Sequence, residues 1–470
     1  KKWEEDTAGI SAMAIPFFLT YAEIAGAIDP IVVSAIDQDT KQAVSIDYQL
    51  NALMNKAFRL ATLKHKPNPD KHVAVMFYNY PAGEKNASAS FLNIPESLEN
   101  ISAALIKAGY HIDQATEEKF VESIPLMLRP FYRNEPYTQV LEHDLGGLLP
   151  LSTYTAWYET LPQTIRTEIE SRWGKPAESF TVYEVDGQKQ FIIPRLQLGN
   201  LLILPQPPRG NNKDREQEIY HSQNTPVSHN YLATYLYTHQ QFHADAIVHL
   251  GTHGTQEWLP GKERGLSAYD DGYLPINDVP IIYPFIVDNV GEAMQTKRRG
   301  RATVISHLTP PFRKAGLYRE LSEIDNLMNQ YDDLEQGSVK EHTKKQIIDL
   351  TIQKNIHKDL DWNKDDISKK FIEFLPELHD YLHAMAQQNQ PLGLHSFGQS
   401  FAEHHLTSTM LQMLGSKFVK LAQTHGASML EEQPNTGPTT PSNIQTTTEH
   451  DDPLVNTIEY RLVETFIVQK

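Results

Sequence analysis

The chain has 470 residues, 59 acidic against 42 basic side chains for a formal net charge of -17, and no cysteine. That length exceeds what one hydrophobic core serves, so two or three domains are expected. The acidic balance disfavours nucleic acid and anionic lipid as partners, and the missing thiols exclude disulfides and thiolate metal sites, leaving His, Asp, Glu or carbonyl oxygen for any metal.

The chain opens "KKWEED", with neither Met nor an apolar leader, and is expected to be a piece of a longer polypeptide. Residues 1–70 read as the end of a preceding α/β region. The longest apolar runs, "AIPFFL" at 14–19 and "PIIYPFIV" at 280–287, fall short of the roughly 20 residues a membrane span needs. "HVAVMFYNY" at 72–80 is a β-rich run, and the "ESLENISAALIKAGY" that follows spaces Leu98, Ile101 and Leu105 as a helix does. The same strand, loop and helix grammar recurs at "ADAIVHL" (244–250) and from "IIYPFIVDN" through "GEAMQTKRR" to "ATVISHL". Between them, "SFTVYEVDGQKQFIIP" predicts a hairpin turned at Asp186-Gly187, a β insertion or edge.

From about 313 the pattern changes, because Leu317, Leu321, Ile324, Met328 and Tyr331 step along an amphipathic helix. Such a stripe is core material, and it is assigned no chemistry. The expected class is therefore α/β: parallel α/β units with a β insertion over 71–312, followed by a mostly helical region over 313–430. Residues 431–452, rich in Pro, Thr, Asn and Gln, are expected to be flexible. Residues 453–470 are expected to begin a further, truncated domain.

Chemistry concentrates in "HLGTHGTQEWLPGK", residues 249–262, placed where a parallel sheet presents its ligand-binding loops. A phosphate-binding loop is excluded: Gly254 to Gly261 encloses six residues instead of four, and Glu263 follows Lys262 where Ser or Thr is required. His249, His253 and Glu257 fall at i, i+4 and i+8, but Gly251 and Gly254 interrupt any helix that would align them, and no HExxH occurs. Two readings of His249 stay open, a hydrogen-bonded core histidine or a member of a reactive loop. The glycines allow backbone to approach a flat, bulky ligand.

At these residues the sequence resembles the large, tetrapyrrole-binding subunits of the cobalt and magnesium chelatases. The resemblance is carried in order by "YAEIAGAIDPIV", "VAVMFYNYPAGEKNASASFLNIPESL", "GNLLILPQPPRG", "IYHSQNTPVSHNYLATY", "ADAIVHLGTHGTQEWLPGK", "YPFIVDNVGEAMQTKRR", "SHLTPPFRKAGLY" and "LGLHSFG", spanning about 20 to 400. "EWLPGK" and "YPFIV" look like the cobalt branch, whereas the magnesium branch reads Glu-Phe-Met-Pro-Gly-Lys in the first place. Gln256, where Leu is usual, is a departure, as are the Pro/Thr-rich stretch near 431 and the absence of the family's N-terminal and C-terminal parts.

The resemblance implies a cytoplasmic ligase forming nitrogen–metal bonds, a cobaltochelatase large subunit in cobalamin biosynthesis. Cobalt ion is its substrate together with hydrogenobyrinic acid a,c-diamide, and ATP and magnesium act on separate AAA+ subunits. The alternatives are a magnesium chelatase-type subunit acting on protoporphyrin IX, a non-catalytic tetrapyrrole-binding protein and a zinc-dependent hydrolase. Metal insertion strips inner N–H protons while the ion sheds water, so it needs a base and a ligand that lets go. Glu257, His253 and His249 are the expected catalytic residues and transient metal ligands. Arg209, His221, His229, Asn79, Tyr80, Glu84 and Lys262 are expected to contact the tetrapyrrole. Lys297, Arg298 and Arg299 read either as partners for its peripheral carboxylates or as a solvated helix end.

Overall fold

A computed structural model describes the chain except at positions 1, 38, 80–82, 86, 90–91, 212–218, 220–221, 252–253, 287–288, 310–311, 315–318, 387–388, 392–394, 402, 432–456 and 469–470. Two compact units emerge, residues 1–309 with 394–399, and residues 310–393 with 400–470.

The first unit is built on a six-stranded sheet of β1 (Val73–Phe77), β2 (Leu196–Leu198), β3 (Leu201–Pro205), β4 (Ala246–Leu250), β5 (Ile281–Ile286) and β6 (Ala302–His307), in the order β6-β5-β4-β1-β3-β2. All pairs are parallel except β3 with β2. "VAVMF" is apolar throughout because both faces of the sheet are covered. Ala74 and Met76 join one core with Leu202, Leu204 and Ile247, while Val73, Val75 and Phe77 join another with Leu201, Ile203 and Leu250. The first core is closed by α4 (His229–Gln240). The second is closed by α2 (Ile94–Lys107) and α3 (Glu117–Arg133), through Leu98, Phe120, Ile124 and Met127.

Read by the five parallel strands, the order is the doubly wound 2-1-3-4-5, whose topological switch lies between β1 and β4. In open α/β sheets ligands bind outside the carboxyl ends of the strands at such a switch point. Val73 pairs with Ala246 and Phe77 with Leu250, so both strands end level at that point.

The expected hairpin is present: Val182–Val185 pairs with Gln188–Pro194, which also pairs with Gly146–Pro150. Asp186 and Gly187 both take positive φ, 51° and 73°, as a two-residue hairpin turn requires. Residues 1–70, expected to belong to a preceding region, pack into this same unit. Their long helix α1 (Asp47–His65) sends Gln49 Nε2 to the Leu266 carbonyl at 3.1 Å and Lys56 Nζ to the Val279 carbonyl at 3.1 Å. Residues 395–399 return to it as well. Asn93 N–H donates to the His395 carbonyl at 2.8 Å and Phe397 N–H to Ser97 Oγ at 2.9 Å, both at the start of α2.

The second unit is mostly helical, as expected. Ile324, Met328 and Tyr331 of the stripe are buried with Ile347, Phe374 and Leu378, while Leu317 lies outside the described residues. It also contains a short antiparallel pair, Phe312–Lys314 with Asn389–Pro391. Residues 458–468 pack in this same unit, with Tyr460 and Val463 against Leu411. The expected flexible segment, beyond Glu431, falls outside the described residues. No helix among the described residues is long and apolar enough to cross a membrane.

Candidate functional site

The loop leaving β4 at the switch point does not continue as a helix. After Gly251 the chain reaches a single 3-10 turn, Gln256–Trp258, so the i, i+4, i+8 spacing aligns nothing on a helical face. That turn buries Glu257 completely. A buried carboxylate must be met by donors, and Glu257 Oε1 accepts the Gly254 backbone N–H at 3.0 Å and the hydroxyl of Tyr283, from β5, at 3.1 Å. Arg299, just past α5 (Val290–Arg298), fixes the rest of the turn. Its guanidinium is buried and donates to three carbonyls, Glu257 at 3.0 Å and those of Leu259 and Lys262.

His249 shares Tyr283 with this carboxylate, its ring edge-on to the tyrosine at 5.2 Å. Its Nε2 is hydrogen-bonded to Tyr235 Oη at 3.0 Å, and its Nδ1 is buried with no partner among the described residues. Burial lowers its pKa to about 3, so the imidazole is neutral at physiological pH. Gln206, just past β3, ties the ring of groups together. Its Nε2 donates to Tyr231 Oη at 3.3 Å and Tyr235 Oη at 3.2 Å, and its Oε1 accepts the Thr255 N–H at 2.9 Å. Tyr231 Oη and Thr255 Oγ1 are 2.9 Å apart. Burial and the Glu257 charge keep the Tyr231 and Tyr283 hydroxyls protonated. Gly254 is a true space requirement, since a Cβ there would lie 2.5 Å from both Gln206 Oε1 and Tyr283 Oη. The arrangement is a carboxylate held by oriented donors, with a neutral imidazole and three phenols behind it.

Of the expected triad, the structure therefore brings His249 and Glu257 to the same buried cluster, while His253 lies outside the described residues. Among the described residues no three His, Asp or Glu side chains converge as metal ligands. His249 is buried and hydrogen-bonded to Tyr235.

The expected tetrapyrrole contacts divide. His229 is a core residue, because both its nitrogens are used, Nδ1 with Tyr154 Oη at 2.8 Å and Nε2 with the Gly174 carbonyl at 3.0 Å, and burial lowers its pKa. Lys262 is spent on the N-terminal segment, donating from Nζ to the carbonyls of Glu4 at 3.0 Å and Asp6 at 2.9 Å. Arg209 is buried and donates to the Ser222 carbonyl at 2.9 Å. Lys297 and Arg298 meet Glu23 at 3.7 Å and 3.1 Å, so neither they nor Arg299 are a free carboxylate clamp. Asn79 and Glu84 do follow β1 at the crevice, Asn79 donating to the Gly83 carbonyl at 2.9 Å and Glu84 bridging Arg129 and Arg133. Tyr80 and His221 lie outside the described residues.

Sequence reasoning singled out none of Gln206, Tyr231, Tyr235, Thr255 or Tyr283 for the site. The available signal was the pair Tyr231 and Tyr235, one turn apart in "NYLATYLY", which places two hydroxyls on one helix face.

A family model described as CobN/Magnesium Chelatase matches residues 1–469. The chain is 32% identical over 432 residues to an uncharacterized protein of Methanocaldococcus jannaschii, covering 88% of this chain and 34% of that protein. It is 30% identical over 412 residues to the aerobic cobaltochelatase subunit CobN of a Sinorhizobium species, covering 84% and 31%. It is also 30% identical over 430 residues to a magnesium-chelatase subunit of Chlorobaculum parvum, covering 85% and 30%. The catalytic subunit of cobaltochelatase from Mycobacterium tuberculosis superposes with a TM-score of 0.74 at 27% identity, over 87% of this chain and 35% of that one. The chain thus spans about a third of the length of the curated relatives it matches.

Proposed function

The chain belongs to the CobN/magnesium chelatase family, and we propose that it forms part of a cytoplasmic chelatase large subunit that inserts cobalt into a corrin precursor, hydrogenobyrinic acid a,c-diamide, in cobalamin biosynthesis. In this reading separate AAA+ subunits hydrolyse ATP with magnesium, and cobalt is a substrate. The observation that carries it is the carboxylate of Glu257, fixed by Gly254 and Tyr283 at the switch-point crevice of a sheet.

Insertion exchanges two inner N–H protons of the macrocycle for one divalent ion. A desolvated carboxylate accepts a proton more readily than one in water, because protonation relieves a buried charge. Glu257 takes the role of proton acceptor. His253 takes that of transient ligand, and the Gly254 N–H and the Tyr283 hydroxyl hold the acceptor in place. Asn79, just past β1, lies on the other side of the switch point. The cobalt preference rests on "EWLPGK" and "YPFIV".

A magnesium subunit acting on protoporphyrin IX is the second reading, favoured by the equal 30% identity to relatives of both kinds. The test is Glu257→Gln and His253→Ala in the full-length protein, with tetrapyrrole affinity read by fluorescence quenching and insertion of cobalt or magnesium followed with motor subunits present. Glu257→Gln should leave affinity nearly intact and reduce insertion about 10²- to 10⁴-fold, the usual effect of losing a general base. Near wild-type insertion by both variants would make the loop structural. Tetrapyrrole binding without insertion under any condition would leave a non-catalytic binding protein, and stoichiometric tight zinc a hydrolase.

A further inference from the structure

α3 carries Arg129 and Arg133 one turn apart, opposite the apolar face that Phe120, Ile124, Met127 and Leu128 bury. Both arginines meet one carboxylate. Glu84 Oε1 takes Arg129 Nε at 3.2 Å, and Glu84 Oε2 takes Arg133 Nε. Glu84 itself is nearly enclosed, its side chain 9% exposed, whereas those of Arg129 and Arg133 are 36% and 50% exposed.

Each guanidinium thus spends only its Nε on the internal partner. The terminal Nη groups of both make no hydrogen bond among the described residues, although the ends of the fork are what bind an oxyanion in two-point fashion. The triad carries two positive charges against one negative, in a chain whose net charge is -17. Its position is set from the crevice: Asn79, which follows β1, donates to Tyr132 Oη on α3 at 3.3 Å and to the Gly83 carbonyl, next to Glu84, at 2.9 Å. One asparagine therefore ties the end of β1 both to the arginine-bearing helix and to the loop that aims the arginines.

We propose that Arg129 and Arg133 form a clamp for a peripheral carboxylate of the tetrapyrrole, with Glu84 orienting the two guanidiniums through Nε and leaving their outer faces for the ligand. This rests on the tetrapyrrole-binding reading above. It adds the residues that select a carboxylated macrocycle over an uncharged one.

The full-length protein is titrated with a dicarboxylic porphyrin, deuteroporphyrin IX, and with its dimethyl ester, by quenching of intrinsic fluorescence. The wild type should bind the diacid about 10-fold more tightly than the diester, the scale of one charge-assisted contact. The double variant Arg129→Gln/Arg133→Gln should bring the two to parity by weakening the diacid alone, and Arg133→Lys should keep part of the preference. Should the double variant not fold, Arg133→Gln, at the more exposed position, carries the same test with a smaller loss.

Glu84→Gln separates a clamp from a structural staple. Losing the orienting carboxylate should weaken the diacid less than the arginine variants do and leave the diester unchanged, whereas loss of a staple weakens both porphyrins whichever partner is removed. Diacid binding that drops as far in Glu84→Gln as in the arginine variants overturns the clamp. So does wild-type protein that binds diacid and diester equally, and in that case tetrapyrrole binding itself stands. Failure of the wild type to bind either porphyrin removes the tetrapyrrole reading and the clamp together.

Discussion

Tyr283 reaches from the strand next to β4 to donate its hydroxyl to Glu257 Oε1 at 3.1 Å, while its ring backs the His249 imidazole at 5.2 Å. One side chain thus sets both the direction of the candidate proton acceptor and the wall behind it.

Tyr283→Phe keeps the ring and deletes only this donor. Insertion should fall about 10-fold, the effect of one lost oriented hydrogen bond of roughly 1.5 kcal/mol, and tetrapyrrole affinity should change less than 2-fold. An unchanged rate would show that Tyr283 does not act through Glu257.

Gly254→Ala places a methyl group 2.5 Å from both Gln206 Oε1 and Tyr283 Oη. The Gln206 and Tyr283 contacts must give way, at an overpacking cost of about 1–3 kcal/mol. Denaturant unfolding of the variant should show that loss, and insertion should fall with it.

Arg299→Lys keeps the charge and loses the fork. One ammonium cannot reach the carbonyls of Glu257, Leu259 and Lys262 together as the guanidinium does. With the position buried, a stability loss of about 2–4 kcal/mol is expected, with earlier proteolytic cleavage within 257–262 than in the wild type.

Two buried groups give opposite pH slopes. His249 falls from 6.5 to about 3 in the fold, so between those values the unfolded chain holds a proton that the native chain does not. Its contribution to stability is lost as pH falls below 6.5, at about 1.4 kcal/mol per pH unit. Asp271 is raised from 3.8 to about 7 by burial, so the native chain holds the extra proton and stability is lost as pH rises through that window. Urea midpoints from pH 4 to 8 should show a shallower acid slope for His249→Gln. For Asp271→Asn the gain over wild type should grow up to pH 7 and then level off.

The parallel strands and the hairpin at Asp186-Gly187 were legible because alternation, apolar runs and turn residues are local signals. The loop at 249–262 was legible from its glycines and titratable groups. The hydrogen-bond ring was not, since Gln206, Tyr231 and Tyr283 meet only when strands far apart in the chain become neighbours. Tyrosine in an apolar run reads as core filler, and its hydroxyl shows a purpose only once a partner is placed beside it. The internal partners of Lys262 and Arg209 were illegible for the converse reason. A cation in a family motif suggests a ligand, yet each here satisfies backbone carbonyls of its own chain.

The return of residues 395–399 bears on how the polypeptide is made. Ser97 receives Phe397 from 300 positions further on, and Asn93 binds the His395 carbonyl beside it. A ribosome adding about 5–20 residues per second leaves the start of α2 without these partners for roughly 15–60 s. During that interval the strands through β6 are already free to pair, but the wall of the crevice after β1 waits for its last piece. The nascent chain should therefore acquire a folded sheet well before it acquires a finished site. Ribosomes arrested after about position 330 or about position 420 would separate the two stages by protease resistance.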